Sequence, residues 1–267
     1  MKLSALAAGL AAVASSLVSA APTSNQQCAT TINNQILSYM TDGSKSLYDL
    51  SCYGANSYGY WAGIARFGTS EGDMLQVINK YKAGGSGRTE FDKYLPTLQK
   101  YAKSKSLSGK GLDGLCVAWV RAGANNRAAF RAAQDEVAQA LYFGPASDMA
   151  KKLGLRFDIS KTILQDGAIH NGRGVVKVSL ADIVKATSAK FTKNTSGKSG
   201  STLNINGRKV DEIEWIKKFL SVKDSMTKGS CPGCLYSYRD IISRGRYNYN
   251  EPIKFKLIGG ITVTASC

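Results

Sequence analysis

The side chains best equipped for chemistry crowd into one stretch, Tyr53 to Asp73, which reads Y-G-A-N-S-Y-G-Y-W-A-G-I-A-R-F-G-T-S-E-G-D. Tyr and Trp faces stack on sugar rings, and short carboxylates hold hydroxyl or amine groups. Gly54, Gly59, Gly63 and Gly68 interrupt the aromatics, so the backbone turns tightly and a ligand can come close. That composition makes a poor core helix. It reads as a small, irregular β-meander flooring a carbohydrate cleft, with Tyr58, Tyr60, Trp61, Glu71 and Asp73 as substrate-binding candidates. Asp73 also has the residue type that caps the helix following it.

Other reactive groups are sparse. His170 is the only histidine and falls at the end of a helical pattern, where capping or packing is its ordinary work. Asp166, one turn earlier among Ile163, Leu164 and Ile169, reads as a buried ion-pair partner. Asp42 stands before Gly43 at a helix C-terminus, where the negative end of the helix dipole raises a carboxyl pKa, as a general acid requires. Cys231-Pro-Gly-Cys234 has redox spacing but lacks a strand feeding a helix.

These groups need elements to carry them. Thr31 to Met40 is helical, with Thr41-Asp42-Gly43 as its stop. After the meander, Met74, Leu75, Ile78 and Tyr81 mark a helix, and a second helical stretch from Thr89 runs through Tyr101, limited by Pro96. Leu115 to Phe143 is strongly helical with a break at Gly123-Ala124-Asn125-Asn126, and Pro145 opens the next helix, ending at Leu153-Gly154. Further helices are expected over Asp158–Asn171, after Ser179, and after Asp211, which forms a capping box with Glu214. Thr192 to Gly207 is rich in Ser, Gly and Lys and reads as a mobile loop, with Asn194-Thr195-Ser196 as a glycosylation acceptor. The tail, Ile253 to Thr264, reads as a hairpin turning at Gly259-Gly260.

Lys2, the apolar run Leu3 to Val18, and the small residues before Ala21 read as an export leader over residues 1–20, leaving one domain over 21–267, soluble and extracellular. Six cysteines, an even number, then favour three disulfides, whose pairing the sequence leaves open. A net charge of +16 attracts polyanions or simply keeps the chain soluble.

Taken in order, the motifs resemble the family 46 glycoside hydrolases, the chitosanases of the lysozyme-like superfamily. The resemblance rests on Gly59-Tyr60-Trp61-Ala62-Gly63-Ile64, Gly72-Asp73-Met74-Leu75, Lys93-Tyr94-Leu95-Pro96, Phe130-Arg131-Ala132-Ala133-Gln134-Asp135 and Leu141-Tyr142-Phe143-Gly144-Pro145-Ala146. It continues through Asp166 to His170, Trp215 to Leu220 and Tyr247 to Ile253. It implies a mainly α (α+β), two-lobed lysozyme-like fold with a small β region and a cleft between lobes. It further implies inverting endo-hydrolysis of a β-1,4-linked aminopolysaccharide by a Glu acid and an Asp base.

At the acid position this chain has Thr41, with Asp42 beside it; at the base position it has Asn56; and the motif's Arg and Thr are replaced by Tyr58 and Trp61. Asp73 matches a sugar-binding Asp, and Asp166, with Arg239, matches a buried ionic network. The expectation is a secreted, chitosanase-like glycosidase, monomeric and without cofactor or metal. Asp42 is its candidate acid, with Asn56 at the base position and Asp49 or Glu71 as substitute bases. Its partner is a polysaccharide; neither a membrane nor a specific nucleic acid is expected. Two alternatives stand: a hydrolase or lyase on an acidic polysaccharide, with a Tyr or His170 moving protons, and a non-catalytic carbohydrate binder.

Overall fold

The computed structural model describes residues 24–42, 52–55, 59–170, 178–195, 197–229 and 231–267. A first helix, α1 (Ser24–Asp42), precedes three short strands, β1 (Cys52–Ala55), β2 (Gly59–Ala62) and β3 (Phe67–Gly68), paired antiparallel in that order. Helices α2 (Asp73–Ala83), α3 (Leu95–Ser104), α4 (Leu115–Asn125) and α5 (Arg127–Ala138) follow, with a 3-10 turn at Asp92–Tyr94. A π-helical turn, Gln139–Phe143, joins α5 to α6 (Gly144–Leu153), which leads to α7 (Asp158–His170) and α8 (Leu180–Ser188). Strands β4 (Thr202–Ile205) and β5 (Arg208–Asp211) form a hairpin ahead of α9 (Glu212–Met226) and α10 (Pro232–Ser243), and β6 (Ile253–Lys256) pairs with β7 (Thr262–Ala265). The protein is predominantly helical with a small β component, the lysozyme-like α+β class.

Two apolar cores explain the two lobes. One is built around Phe67, Tyr81, Phe91, Trp119 and Phe130 from the sheet and α2–α5, the other around Trp215, Phe219, Tyr238 and Phe255 from the C-terminal half. Helices α1 and α7 feed both: Ile32, Ile36 and Met40 pack in the C-terminal core while Leu37 joins the other, and Ile159 and Ile163 are divided from Ile169 in the same way. A helix can serve two cores because its apolar positions span more than one stripe. Buried Glu212 locks the second lobe by accepting the backbone amides of Arg156 (3.0 Å) and Phe157 (3.0 Å).

Ser179 caps α8 in a reciprocal box with Asp182, and Asp211 caps α9 by accepting from the amides of Ile213 and Glu214, but the expected return bond from Glu214 is replaced: the Asp211 amide donates to the Thr195 hydroxyl at 2.8 Å. The break after Asn125, the helix opened by Gly144-Pro145 and the C-terminal hairpin also follow the sequence reading.

Three places depart from it. The residue capping α2 is Gly72, at φ 82°, and Asp73 is the first helical residue. Part of the segment read as a mobile loop is the β4–β5 hairpin, turning at Asn206 and Gly207, both at positive φ, with Leu203, Ile205 and Val210 facing the core. Thr195 extends its edge, donating its amide to the Lys209 carbonyl at 2.9 Å. Helix α10 starts at the Cys-Pro-Gly-Cys run, where no helix was expected: Pro232 fits the first turn, and Ile241 and Ile242 bury one face.

The cysteines pair as Cys28–Cys267, Cys52–Cys116 and Cys231–Cys234. The first ties α1 to the C-terminus beyond β7, and the second ties β1 to α4. No helix among the described residues is long and apolar enough to cross a membrane.

Candidate active site

The β1–β2–β3 sheet sorts the aromatics by face. Residues directly opposite one another in a ladder share a face, and neighbours along a strand alternate. Trp61 pairs with Tyr53 on one side and Gly68 on the other, whereas Tyr60 pairs with Gly54, and Ala62 with Cys52 and Phe67. Ala62 and Phe67 are buried, so their face is the core side, and Tyr60 lies there, half-buried, its ring against Gly54. Tyr60 and Trp61, both expected on one cleft wall, therefore point in opposite directions. Burial, then the nearby Asp113 carboxylate and Tyr94, push the Tyr60 hydroxyl's pKa up, so it stays protonated.

The outward face carries the reactive set. Tyr53 is exposed, Trp61 is half-buried, and the Arg66 guanidinium lies 5.6 Å from the Trp61 ring centre. Arg66 sits at φ 49° in the turn between β2 and β3, a left-handed conformation that costs a side-chain-bearing residue about 1 kcal/mol. Glu71 reaches back over Gly68: a Cβ on that glycine would fall 2.1 Å from Glu71 Oε2 and 3.1 Å from Trp61 Cδ1. Only glycine permits this approach. The Ser70 hydroxyl donates to Glu71 Oε2 at 2.6 Å, and Lys105 donates to the Glu71 carbonyl at 3.2 Å. A carboxylate, a guanidinium and an indole face thus share one surface, which suits a hydroxylated ring bearing polar substituents.

Asp73 is interior, 1% exposed. Its Oδ1 accepts from the amides of Gly68 (2.6 Å) and Met74 (2.8 Å), and its Oδ2 accepts from the Tyr142 hydroxyl at 2.5 Å. It fixes the end of β3, the start of α2 and the π-helical turn relative to one another.

Asp166 is fully buried on α7, and its partners are Lys223 from α9 and the His170 ring, whose Nδ1 lies 3.0 Å from Oδ1. Burial alone would raise the Asp166 pKa, but the Lys223 ammonium and His170 outweigh it and hold the carboxyl well below the usual range. The same environment drives the buried Tyr238 hydroxyl well above its ordinary value, through burial first and the Asp166 charge second. Arg239, the cation expected beside Asp166, is exposed on α10. Lys223 was legible: with Ile216, Phe219 and Leu220 it falls on one helical stripe, a charge on a buried face.

Asp42 is the last residue of α1, and Asn56, Tyr58 and Asp49 lie outside the described residues. Arg66 and Tyr53 were not singled out from sequence; Tyr53 shares the face of Trp61 through the β1–β2 register, which alternation along one strand does not give. Among the described residues no group of His, Cys, Asp or Glu could hold a metal ion.

Comparison with known proteins gives the geometry a setting. Residues 52–233 match the family model of glycosyl hydrolase family 46. A chitosanase from Bacillus subtilis (strain 168) is 32% identical over 207 residues, covering 73% of this chain and 69% of that protein. A chitosanase from Streptomyces sp. (strain N174) is 28% identical over 206 residues, covering 75% and 68%. In structure, a mutant chitosanase from Bacillus subtilis MY002 complexed with 6 GlcN superimposes with a TM-score of 0.74 at 27% identity, covering 88% of this chain and 97% of that one.

Proposed function

We infer the function of this chain from one premise: it belongs to glycosyl hydrolase family 46. It is an endo-acting glycosidase that cleaves a β-1,4-linked aminopolysaccharide of the chitosan class, as its relatives' names indicate. Residues 1–20 act as an export leader, and 21–267 form the catalytic domain of a secreted monomer. The disulfides fit that oxidising destination.

The observation that carries a mechanism is the Glu71 carboxylate against Trp61 above Gly68. Inverting hydrolysis needs an acid on the leaving oxygen and a base on a water at the opposite face of the sugar, about 6.5–9.5 Å from the acid. Thr41 and Asn56 can supply neither proton transfer. Asp42, at the end of α1, takes the acid's part, helped by the helix dipole, and Glu71 takes the base's part. Asn56 orients the water or the sugar amine. Trp61 offers a stacking face, and Asp73 acts by positioning, through the β3–α2 junction and Tyr142.

One observation favours a second reading. A chain of net charge +16, with Arg66 laid over Trp61, is better matched to an acidic polysaccharide than to polycationic chitosan. Incubating the secreted protein with chitosan, uncharged glycans and a polyuronate, and sizing the products, decides between them. Shortened chitosan supports the family reaction. A shortened polyuronate with intact chitosan transfers the assignment to the acidic polymer.

A further inference from the structure

We propose that the Cys231–Cys234 disulfide is a thiol–disulfide exchange site, opened by a small thiol that attacks the Cys231 sulfur. The other two disulfides join separate elements across 239 and 64 residues, whereas this one spans 3. Both of its cysteines belong to the first turn of α10: Cys231 is the N-cap, and the Leu235 amide already donates to the Cys231 carbonyl at 3.2 Å. The bond therefore staples what the helix holds by itself, and closing so short a loop removes little entropy from the unfolded chain. Stability does not account for it.

The two sulfurs differ in the way exchange requires. Cys234 is 3% exposed and packs in the C-terminal core, while Cys231 is half-buried at the edge of that core, next to exposed Pro232. An incoming thiol therefore reaches Cys231 first. The groups nearest to where a Gly233 side chain would stand belong to Ile258, at 3.5 Å, and Ile258 is itself exposed, so apolar surface lines the approach. A net charge of +16 draws anionic thiolates to the chain.

Two thiols balance the reaction. The thiolate of the first bonds to Cys231 Sγ, and the Cys231–Cys234 bond breaks with its electron pair leaving on Cys234. Cys234 takes up the proton that the first thiol released: burial disfavours a thiolate there, and Asp224, which lines the same small cavity, disfavours it further, while Lys223 beside it is already paired with Asp166. The second thiolate then attacks the sulfur of the first, forming the external disulfide and expelling Cys231 as a thiolate. At the N-cap of a 12-residue helix that anion faces the free amides of the first turn, which makes Cys231 a good leaving group. The protein gains two electrons and the external thiols lose them.

The fold has an acceptor ready for the reduced form. Cys234 Sγ lies 3.4 Å from the carbonyl oxygen of Met40, in the last turn of α1, where carbonyls need partners from outside the helix. In the disulfide that sulfur has no proton to give; as a thiol it donates to Met40. Opening thus adds a hydrogen bond between α10 and α1, two residues from Asp42.

The test needs no polysaccharide, so it stands apart from the proposed function. The full chain is equilibrated in mixtures of reduced and oxidised glutathione, its thiols are trapped by alkylation, and the peptides are weighed. Cys231–Cys234 should open at about tenfold less reduced glutathione than the other two pairs require. Cys234→Ser should hold glutathione on Cys231, and Cys231→Ser should hold it on Cys234 on the order of tenfold more slowly. In the reduced wild type the infrared S–H band should contain a component of lowered frequency, the sign of a donating thiol, that Cys234→Ser lacks. Circular dichroism checks the fold of each variant, and the order of opening in the wild type decides the proposal by itself. Three pairs that open together, or Cys231–Cys234 opening last, overturn the site. Equal uptake by the two variants overturns Cys231 as the attacked sulfur, and an S–H band without the lowered component overturns the bond to Met40.

Discussion

Lys223 is the residue on which the α7–α9 contact depends, because Asp166 beside it is entirely buried. Removing one partner of a buried pair leaves an uncompensated charge, so Lys223→Met should lower unfolding free energy by about 3–5 kcal/mol in urea, and adding Asp166→Asn should restore most of it. The pH dependence follows with a definite sign. Asp166's folded pKa is depressed below its unfolded value, so its contribution is complete above about pH 4 and is lost as the pH falls below that. Thermal melts from pH 6 to 2.5 should show a loss in the wild type that Asp166→Asn lacks; parallel curves would contradict the pairing. Trp61 belongs to the same scale but to function. Trp61→Ala should raise KM for the polysaccharide severalfold with little change in thermal stability, since the indole is only half-buried on the outward face.

The β4–β5 hairpin and the β2–β3 turn show how single backbone positions set an element. Gly207 stands at φ 77° with open space where a side-chain methyl would fall, so Gly207→Ala should cost only the left-handed strain, about 1 kcal/mol, measurable by chemical denaturation. At Arg66 the expectation reverses: Arg66→Gly relieves strain and should stabilise by up to about 1 kcal/mol while weakening substrate binding, because the guanidinium over Trp61 is removed. Unchanged affinity in that variant would reduce Arg66 to a turn residue. These elements also show what could be read in advance. Caps at Ser179 and Asp211, the break after Asn125 and the C-terminal hairpin were legible because each has a local chemical cause. The β4–β5 hairpin carried its own signal, Asn206-Gly207 between alternating residues, but the surrounding Ser, Gly and Lys masked it. The opposed faces of Tyr60 and Trp61 followed from alternation alone, whereas Glu71 folding back over Gly68 depends on tertiary geometry that no spacing encodes.

At the scale of the whole molecule, two lobes are joined through α1 and α7, and the chain ends are closed by Cys28–Cys267 across 239 residues. Loop-closure entropy makes that bond worth on the order of 5 kcal/mol, and Cys231–Cys234, with a separation of 3, worth far less. Replacing Cys28 and Cys267 by Ser should therefore lower Tm much more than replacing Cys231 and Cys234; the reverse order would place the constraint elsewhere. The family supports hydrolysis of an aminopolysaccharide, and the mechanism proposed above assigns that reaction to Asp42 and Glu71, since this chain has Thr41 and Asn56 at the positions where the family's acid and base are expected. The most direct measurement follows the anomeric proton by NMR during the first minutes of chitosan digestion by the wild type, Asp42→Asn and Glu71→Gln. The wild type should release the α-anomer first, as inversion at a β-linkage requires, and each variant should lose cleavage while still binding the polymer. Release of the β-anomer, or full activity in both variants, would contradict a mechanism built on Asp42 and Glu71.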